Sequence, residues 1–352
     1  MITRRRFNSL AISAAALTTA GLLPKQVRAA TSGTMDLVRL GWANSTNVDA
    51  QVFHVLKNTD IAERNGLKLE MHQLANSPAI SEGIASGAVD IGSVSDFSAV
   101  TMMAAGAPIV PIGQSSIFRS AVMVTKASTV TSMAGLKGKS IYGLFGITAY
   151  LNAQAAVRQA GLEPGKDVTF VNIAAAELSD AVRAGRVEAF FTWDPWVANF
   201  ENSGLAKVIS QNLTPAMILQ SHKHFVDNQP GAVKKLLRAH SEALFYAAQN
   251  HDLVNGWYRT LEPAKGIPLE AIEKASAYDP QWTAKSLSAI KVAISPEEIG
   301  RMDAMAKWGV SEKLLQRLPD VKSIINTTIA NSVDQDLLNT TFDVSTVKIV
   351  KS

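Results

Sequence analysis

Residues 84–90 read Ile84-Ala85-Ser86-Gly87-Ala88-Val89-Asp90, and residues 182–188 read Val182-Arg183-Ala184-Gly185-Arg186-Val187-Glu188. Gly, Val and an acid coincide at a constant offset of 98, and the same offset carries Asp96 onto Asp194. A glycine directly after a helical stretch supplies the left-handed residue that closes a helix. The apolar run that follows each glycine reads as a buried strand. Both stretches are therefore the end of a helix feeding at once into a core strand.

The surroundings repeat one order of elements. Leu37 to Leu40 reads as a strand, Gly41 to Asp49 as a loop, Ala50 to Asn65 as a helix, Leu67 to Gln73 as a strand, Ala79 to Ala85 as a helix and Val89 to Val94 as a strand. Later, Ser140 to Gly143, Asp167 to Ile173 and Val187 to Trp193 read as strands around helices at Thr148 to Gln159 and Leu178 to Ala184. Such βαβαβ alternation predicts an α/β fold of two doubly wound, parallel lobes. Ala121-Val122-Met123-Val124, within Ser116 to Thr125, suggests a strand crossing between lobes, with a return near Thr214 to Gln220. From Gln229 to Ile329 the chain looks helical and is expected to pack on the first lobe. A capping box stands at Ser295-Pro296-Glu297-Glu298, with Glu reaching back to the cap. The expected division is residues 31–120 and 216–352 in the first lobe and 121–215 in the second.

Residues 1–30 read as an export signal: Arg4, Arg5 and Arg6 precede an uncharged apolar run from Leu10 to Leu23, and Val27-Arg28-Ala29 offers a small-residue cleavage pattern. The run is short for a membrane span, which needs roughly 20 apolar residues. Thr3-Arg4-Arg5-Arg6-Phe7 resembles the twin-arginine export motif, with an ordinary secretory signal as the alternative. The sequence contains no cysteine, hence no disulfide and no site for lipid attachment. The formal charge of +4 comes from the signal: 34 basic residues less Arg4, Arg5, Arg6, Lys25 and Arg28 leave 29 against 30 acids. A freely diffusing periplasmic protein is expected, with no nucleic-acid partner and no membrane anchor. Chains beyond roughly 250–300 residues usually divide, which agrees with two lobes.

In open α/β sheets, ligands bind beyond the carboxyl ends of the strands. That rule selects Trp42 to Asn47, Ala75 to Pro78, Ser93 to Phe97, Leu144 to Thr148 and Trp193 to Trp196. Phe145, Gly146, Ile147 and Thr148 follow a strand and open a helix, whose first N–H groups suit an anion, unless Thr148 only caps its own helix. Trp42, Asn44, Ser45, Asn47, Asn76, Ser77 and Ser93 supply further side chains at strand ends. In Thr192-Trp193-Asp194-Pro195-Trp196 two aromatics flank an acid, either around a ligand or as lobe core with Asp194 as a helix cap. Asp96 has the same two readings, and Arg119 near the crossing is a candidate positive charge or a surface residue. His222 and His224 lack a third metal ligand nearby, and no G-x-S-x-G is present. Neither a metal, a cofactor nor an enzymatic role is expected.

Val89-Asp90-Ile91-Gly92-Ser93 with Ala105-Gly106-Ala107-Pro108-Ile109, Met133 to Ser140, Gly185-Arg186-Val187-Glu188-Ala189 and Trp193-Asp194-Pro195 together resemble the substrate-binding proteins of taurine, nitrate and alkanesulfonate ABC importers. The resemblance implies a type II periplasmic binding protein, two lobes joined by two crossing strands, that captures a small organic anion as a monomer and presents it to an inner-membrane permease. It implies an anion on Gly146, Ile147 and Thr148 and an amine on Asp194. Trp196 and Phe145 favour an alkyl or aryl sulfonate over nitrate; a carboxylate or a pyrimidine-like solute, and an enzyme or sensor on the same scaffold, are the alternatives. Fungal thiamin-pyrimidine synthases are similar but carry a cysteine-rich segment, which this chain lacks.

Overall fold

The computed structural model describes residues 35–350, so the export signal expected at residues 1–30 lies outside the described residues. The chain begins with β1 (Asp36–Trp42), α1 (Asn47–Asn58), α2 (Ile61–Arg64), β2 (Leu67–Gln73), α3 (Ser77–Ala85), β3 (Ile91–Ser95), α4 (Asp96–Ala105) and β4 (Ile109–Ile117). It continues with β5 (Ser120–Thr125), β6 (Ser140–Gly143), α5 (Thr148–Gln159), β7 (Thr169–Asn172), α6 (Ala175–Arg183), β8 (Ala189–Trp193), α7 (Trp196–Asn202) and β9 (Ala206–Asn212). After β10 (Ala216–His222) come α8 (Lys223–Asn228), α9 (Pro230–Gln249), α10 (His251–Tyr258), α11 (Leu269–Ser276), α12 (Pro296–Ser311), α13 (Val321–Ile324) and α14 (Thr328–Leu337).

Two five-stranded sheets result, ordered β2-β1-β3-β10-β4 and β7-β6-β8-β5-β9. Each is the centre of a lobe. The 98-residue correspondence holds in space: α3 and α6 differ by that offset at both ends, as do β3 and β8. Gly87 and Gly185 both take the left-handed conformation, at φ 75° and 69°, that ends the helix and turns the chain into the buried strand.

The sheets are mixed, which corrects only the expectation that the sheets of the two lobes are parallel. In each, four strands run the same way, and a strand arriving from the other lobe is inserted antiparallel between the third and the fourth. The reason is connectivity. A chain that leaves a lobe along β4 and returns along its neighbour β10 must run the other way, and β5 with β9 does the same in the second lobe. The crossings are therefore short segments, Phe118 with Arg119 and Leu213 to Pro215, tied together by the Phe118 N–H donating to the Pro215 carbonyl at 2.9 Å.

Two further expectations change. The helix predicted through Asn65 breaks at Thr59, which forms a β-bridge with Ile349, while Asp60 N–H donates to the Lys348 carbonyl. The C-terminal tail takes the backbone groups a continuous helix would have used. At α12, Ser295 does cap, accepting from Glu298 N–H at 3.1 Å, but the buried Glu298 carboxylate pairs with Arg301 instead of reaching back.

The first lobe has an apolar core on each face of its sheet. One lies under α1, α9 and α10, with Trp42, Phe53 and Tyr258. The other lies under α3, α4 and α12, and takes in Leu151 of α5 from the second lobe. The second lobe's core likewise includes Phe118 from the first crossing and Met217 from the start of β10. Packing is therefore continuous through the crossing region. Where β6 ends, a Cβ on Gly143 would lie 2.5 Å from the Phe191 ring, closer than contact allows. Gly143→Ala is expected to lower unfolding free energy by about 1–3 kcal/mol through overpacking against a rigid ring, as urea denaturation would show; an unchanged midpoint would mean that the ring moves aside freely.

Candidate functional site

The two corresponding acids, Asp96 and Asp194, stand just past the buried strands β3 and β8, and both are fully buried. Each grips the chain where it enters that acid's own sheet. Asp194 Oδ2 accepts from Arg119 Nε at 2.9 Å, and Oδ1 accepts from Arg119 Nη2 and from Ala198 N–H, both at 3.0 Å. Asp96 Oδ2 accepts from Ala216 N–H at 3.0 Å, and Oδ1 accepts from Phe97 N–H at 2.7 Å.

This arrangement corrects two expectations. Arg119, 2% exposed, is neither a surface residue nor a free charge for an anion: it also bonds Glu201 Oε2 at 3.1 Å and packs its guanidinium over Tyr278. Asp194 has both oxygens occupied and caps α7, so the geometry leaves it no room to hold a ligand amine. Burial pushes the Asp194 carboxyl up while the adjacent guanidinium pulls it back.

Asp96 also reaches across the lobes. The Thr148 hydroxyl at the start of α5 donates to its Oδ1, so Thr148 bonds the other lobe rather than capping its own helix. Ser98 Oγ donates to the Gly146 carbonyl at 2.8 Å, and Trp193 Nε1 donates to the Ser45 carbonyl at 2.8 Å. The lobes thus meet through direct polar contacts. Burial pushes the Asp96 carboxyl up, against those hydrogen bonds, and burial together with the charge of Asp96 pushes up Glu298 behind it.

Beside these contacts lies a cavity of about 270 Å³ with walls from both lobes. Asn44, Ser45 and Asn76 line it from the first lobe, with Trp193 and Trp196 from the second. The indoles pack edge to face, centroids 4.9 Å apart, and form its apolar wall. Asn76 Oδ1 caps α3 by accepting from Ala79 N–H at 3.0 Å, which leaves its amide hydrogens for other partners. Asn44 is spent on the scaffold: its Nδ2 donates to the carbonyls of Tyr258, Leu261 and Glu262, and its Oδ1 meets His54 Nε2. Burial holds His54 down at about 4, so the neutral ring donates to Asn44. A second pocket of about 20 Å³, roughly one water in size, touches Ser77, Ile147 and Thr148 and shares Ser45, Asn76 and Trp193 with the first.

Several predicted residues lie elsewhere. Trp42 packs in the first core against Phe53 and His54, and Phe145 stacks on Tyr150 within the second lobe. Asn47 is buried with its Nδ2 on Ser276, and Ser93 donates to the buried Asp49 at 2.6 Å. Ser77, in the wall of the smaller pocket, accepts from Ser95 N–H, and Gly146 takes φ 75° at the interlobe contact. Conversely, Gln73, Leu74, Ala174 to Ala176, Glu262 and Pro263 line the larger cavity without having been foreseen. Widening the segment chosen after β2 and extending the strand-end rule to β7 finds all but the last two, which sit in a loop after α10.

A family model described as NMT1/THI5 like matches residues 63–252. The chain belongs to the NMT1/THI5-like family. A Bacillus subtilis (strain 168) protein named for aliphatic-sulfonate binding is 23% identical over 276 residues, covering 76% of this chain and 79% of its own. An Escherichia coli (strain K12) protein named likewise is 24% identical over 237 residues, 65% of this chain and 72% of its own. The alkanesulfonate-binding protein SsuA from Xanthomonas axonopodis pv. citri, solved with MOPS, superposes with a TM-score of 0.71 at 18% identity, over 84% of this chain and 99% of its own. That superposition establishes the type II periplasmic binding protein fold for this family member.

Among the described residues no cluster of His, Cys, Asp or Glu is placed to hold a metal, and no helix is long and apolar enough to cross a membrane. The Arg119–Asp194 pair supplies a direct test of the crossing. Arg119→Met is expected to cost about 3–5 kcal/mol by stranding a buried charge, and adding Asp194→Asn to recover most of that loss. Equal losses in the single and double variants, measured by urea denaturation, would contradict an ionic clasp.

Proposed function

We propose that this protein is the exported solute-binding component of an ABC importer, and that it captures a small organic anion of the sulfonate class in the cavity between its lobes. The observation that carries the reading is that cavity. It draws its walls from both lobes, is faced by Trp193 and Trp196, and lies beside direct lobe-to-lobe hydrogen bonds. At about 270 Å³ it is near the lower end of ligand pockets, large for nitrate and suited to a short alkyl or aryl chain against the indoles. Sulfonate is the class for which the two curated relatives are named.

A sulfonate needs hydrogen-bond donors more than a countercharge. The amide of Asn76 in the cavity wall is of that kind, and so are the first N–H groups of α5, which has no side-chain cap and borders the adjoining small pocket. Closure is a population shift: a ligand touching both lobes stabilises only the closed arrangement. The closed form would then dock on the inner-membrane permease as a monomer, after export across that membrane by the twin-arginine route.

Transport rather than turnover is supported by the fate of the acids. Asp96 and Asp194, which a hydrolytic or lyase mechanism would require, are committed to the crossings and to the lobe contact. Tryptophan fluorescence titration with a series of alkane- and arylsulfonates is expected to give saturable binding, the ligand being recovered unchanged. Trp193→Ala should weaken binding at least about tenfold, or 1.4 kcal/mol, through lost aromatic surface. Absence of saturable binding across the series, with folded protein, would refute the sulfonate assignment.

A further inference from the structure

The larger cavity reaches the ends of β2 and β7, at Gln73, Leu74 and Ala174. Those strands are outer edges of the two sheets, whereas the crossings join the opposite edges. Two helices of the second lobe are packed into the first. Leu151 of α5 enters the core under α3, α4 and α12, and Ala198 of α7, fully buried, enters the core under α1, α9 and α10. Polar contacts follow the same helices. At the start of α5, Phe97 N–H donates to Thr148 Oγ1 at 3.2 Å and Thr148 bonds Asp96. Ten residues on, about 15 Å along the helix, Arg158 pairs with Glu312 at the end of α12. On α7, Glu201 takes Lys274 of α11 at 3.3 Å as well as Arg119.

A hinge made of the two crossings alone would let the lobes part on every side. Parting α5 from α4 and α12 would bring Leu151 into water and take the Thr148 donor from the buried Asp96 carboxylate. Parting α7 from the first lobe would expose Ala198. Both steps cost free energy that no contact in the cavity returns until a ligand is held. The cleft itself opens more cheaply: Trp193 Nε1 and the Ser45 carbonyl, both from residues that line the cavity, exchange one hydrogen bond for water at a small net cost. We infer that the lobes turn about a bearing made of both crossings and of two helix packings, α5 on α4 and α12 and α7 on α11, which stay together while the cleft opens at the β2 and β7 edges. That motion rests on the proposed capture of a solute between the lobes, and on no particular solute.

Three double variants of the cysteine-free chain, each carrying two spin labels at exposed positions, separate the bearing from the cleft. They are Glu82→Cys with Asp180→Cys across the cleft, Gln159→Cys with Lys307→Cys across α5 and α12, and Asn202→Cys with Glu270→Cys across α7 and α11. Label distances are measured with and without propane-1-sulfonate or benzenesulfonate. The cleft pair should shorten on binding, while both bearing pairs keep narrow distributions and stay within about 1 Å, the scale of packed regions that do not rearrange. A bearing pair that shortens along with the cleft pair would overturn the bearing. If neither sulfonate moves any pair, the sulfonate assignment falls and the ligand-free distributions decide the rest. A cleft pair broader than both bearing pairs then upholds the bearing, and equal widths overturn it.

Discussion

The fold turns on the fact that charge cannot be left unpaired in a dry interior. Asp194 is fully buried and Arg119 nearly so, and a lone carboxylate or guanidinium there would cost several kcal/mol. Their bidentate pairing fixes the first crossing against the end of β8. On the other lobe the same role falls to Asp96, which holds the Ala216 N–H where the second crossing enters β10. Each lobe thus clasps the segment delivered to it.

The cleft inherits its chemistry from that requirement. Because Arg119 is consumed by the crossing, it is not free to meet an anion, and because Asp96 holds Thr148, the start of α5 is tied to the first lobe. On the proposed reading, recognition falls to neutral donors and to the Trp193 and Trp196 faces. A site of this kind gains selectivity from shape and from the balance of dipoles more than from a strong countercharge.

Much of this architecture is legible in the sequence, and the limits have physical causes. The helix-glycine-strand units at Gly87 and Gly185 are local, so their repeat at 98 residues appears in space without change. The insertion of β5 and β10 antiparallel depends on pairing between distant strands, which periodicity does not encode. Trp193, Trp196, Ser45 and Asn76 were reachable through the strand-end rule. The partnership of Arg119 with Asp194 was not, since 75 residues separate them and neither of the two readings open to each residue alone, ligand-facing or surface for Arg119 and ligand-facing or helix cap for Asp194, pointed to the other. Glu262 stands in a loop whose position is set only when α10 and α11 pack on the first lobe.

The central claim, that a ligand held between the lobes draws them together, is best tested by a distance. The chain has no cysteine, so Glu82→Cys on α3 and Asp180→Cys on α6 place spectroscopic labels on exposed, corresponding positions of the two lobes. Added sulfonate should shift the population toward the shorter interlobe distance, saturating with the same concentration dependence as tryptophan fluorescence. Binding that saturates while the distance distribution stays unchanged would contradict the account.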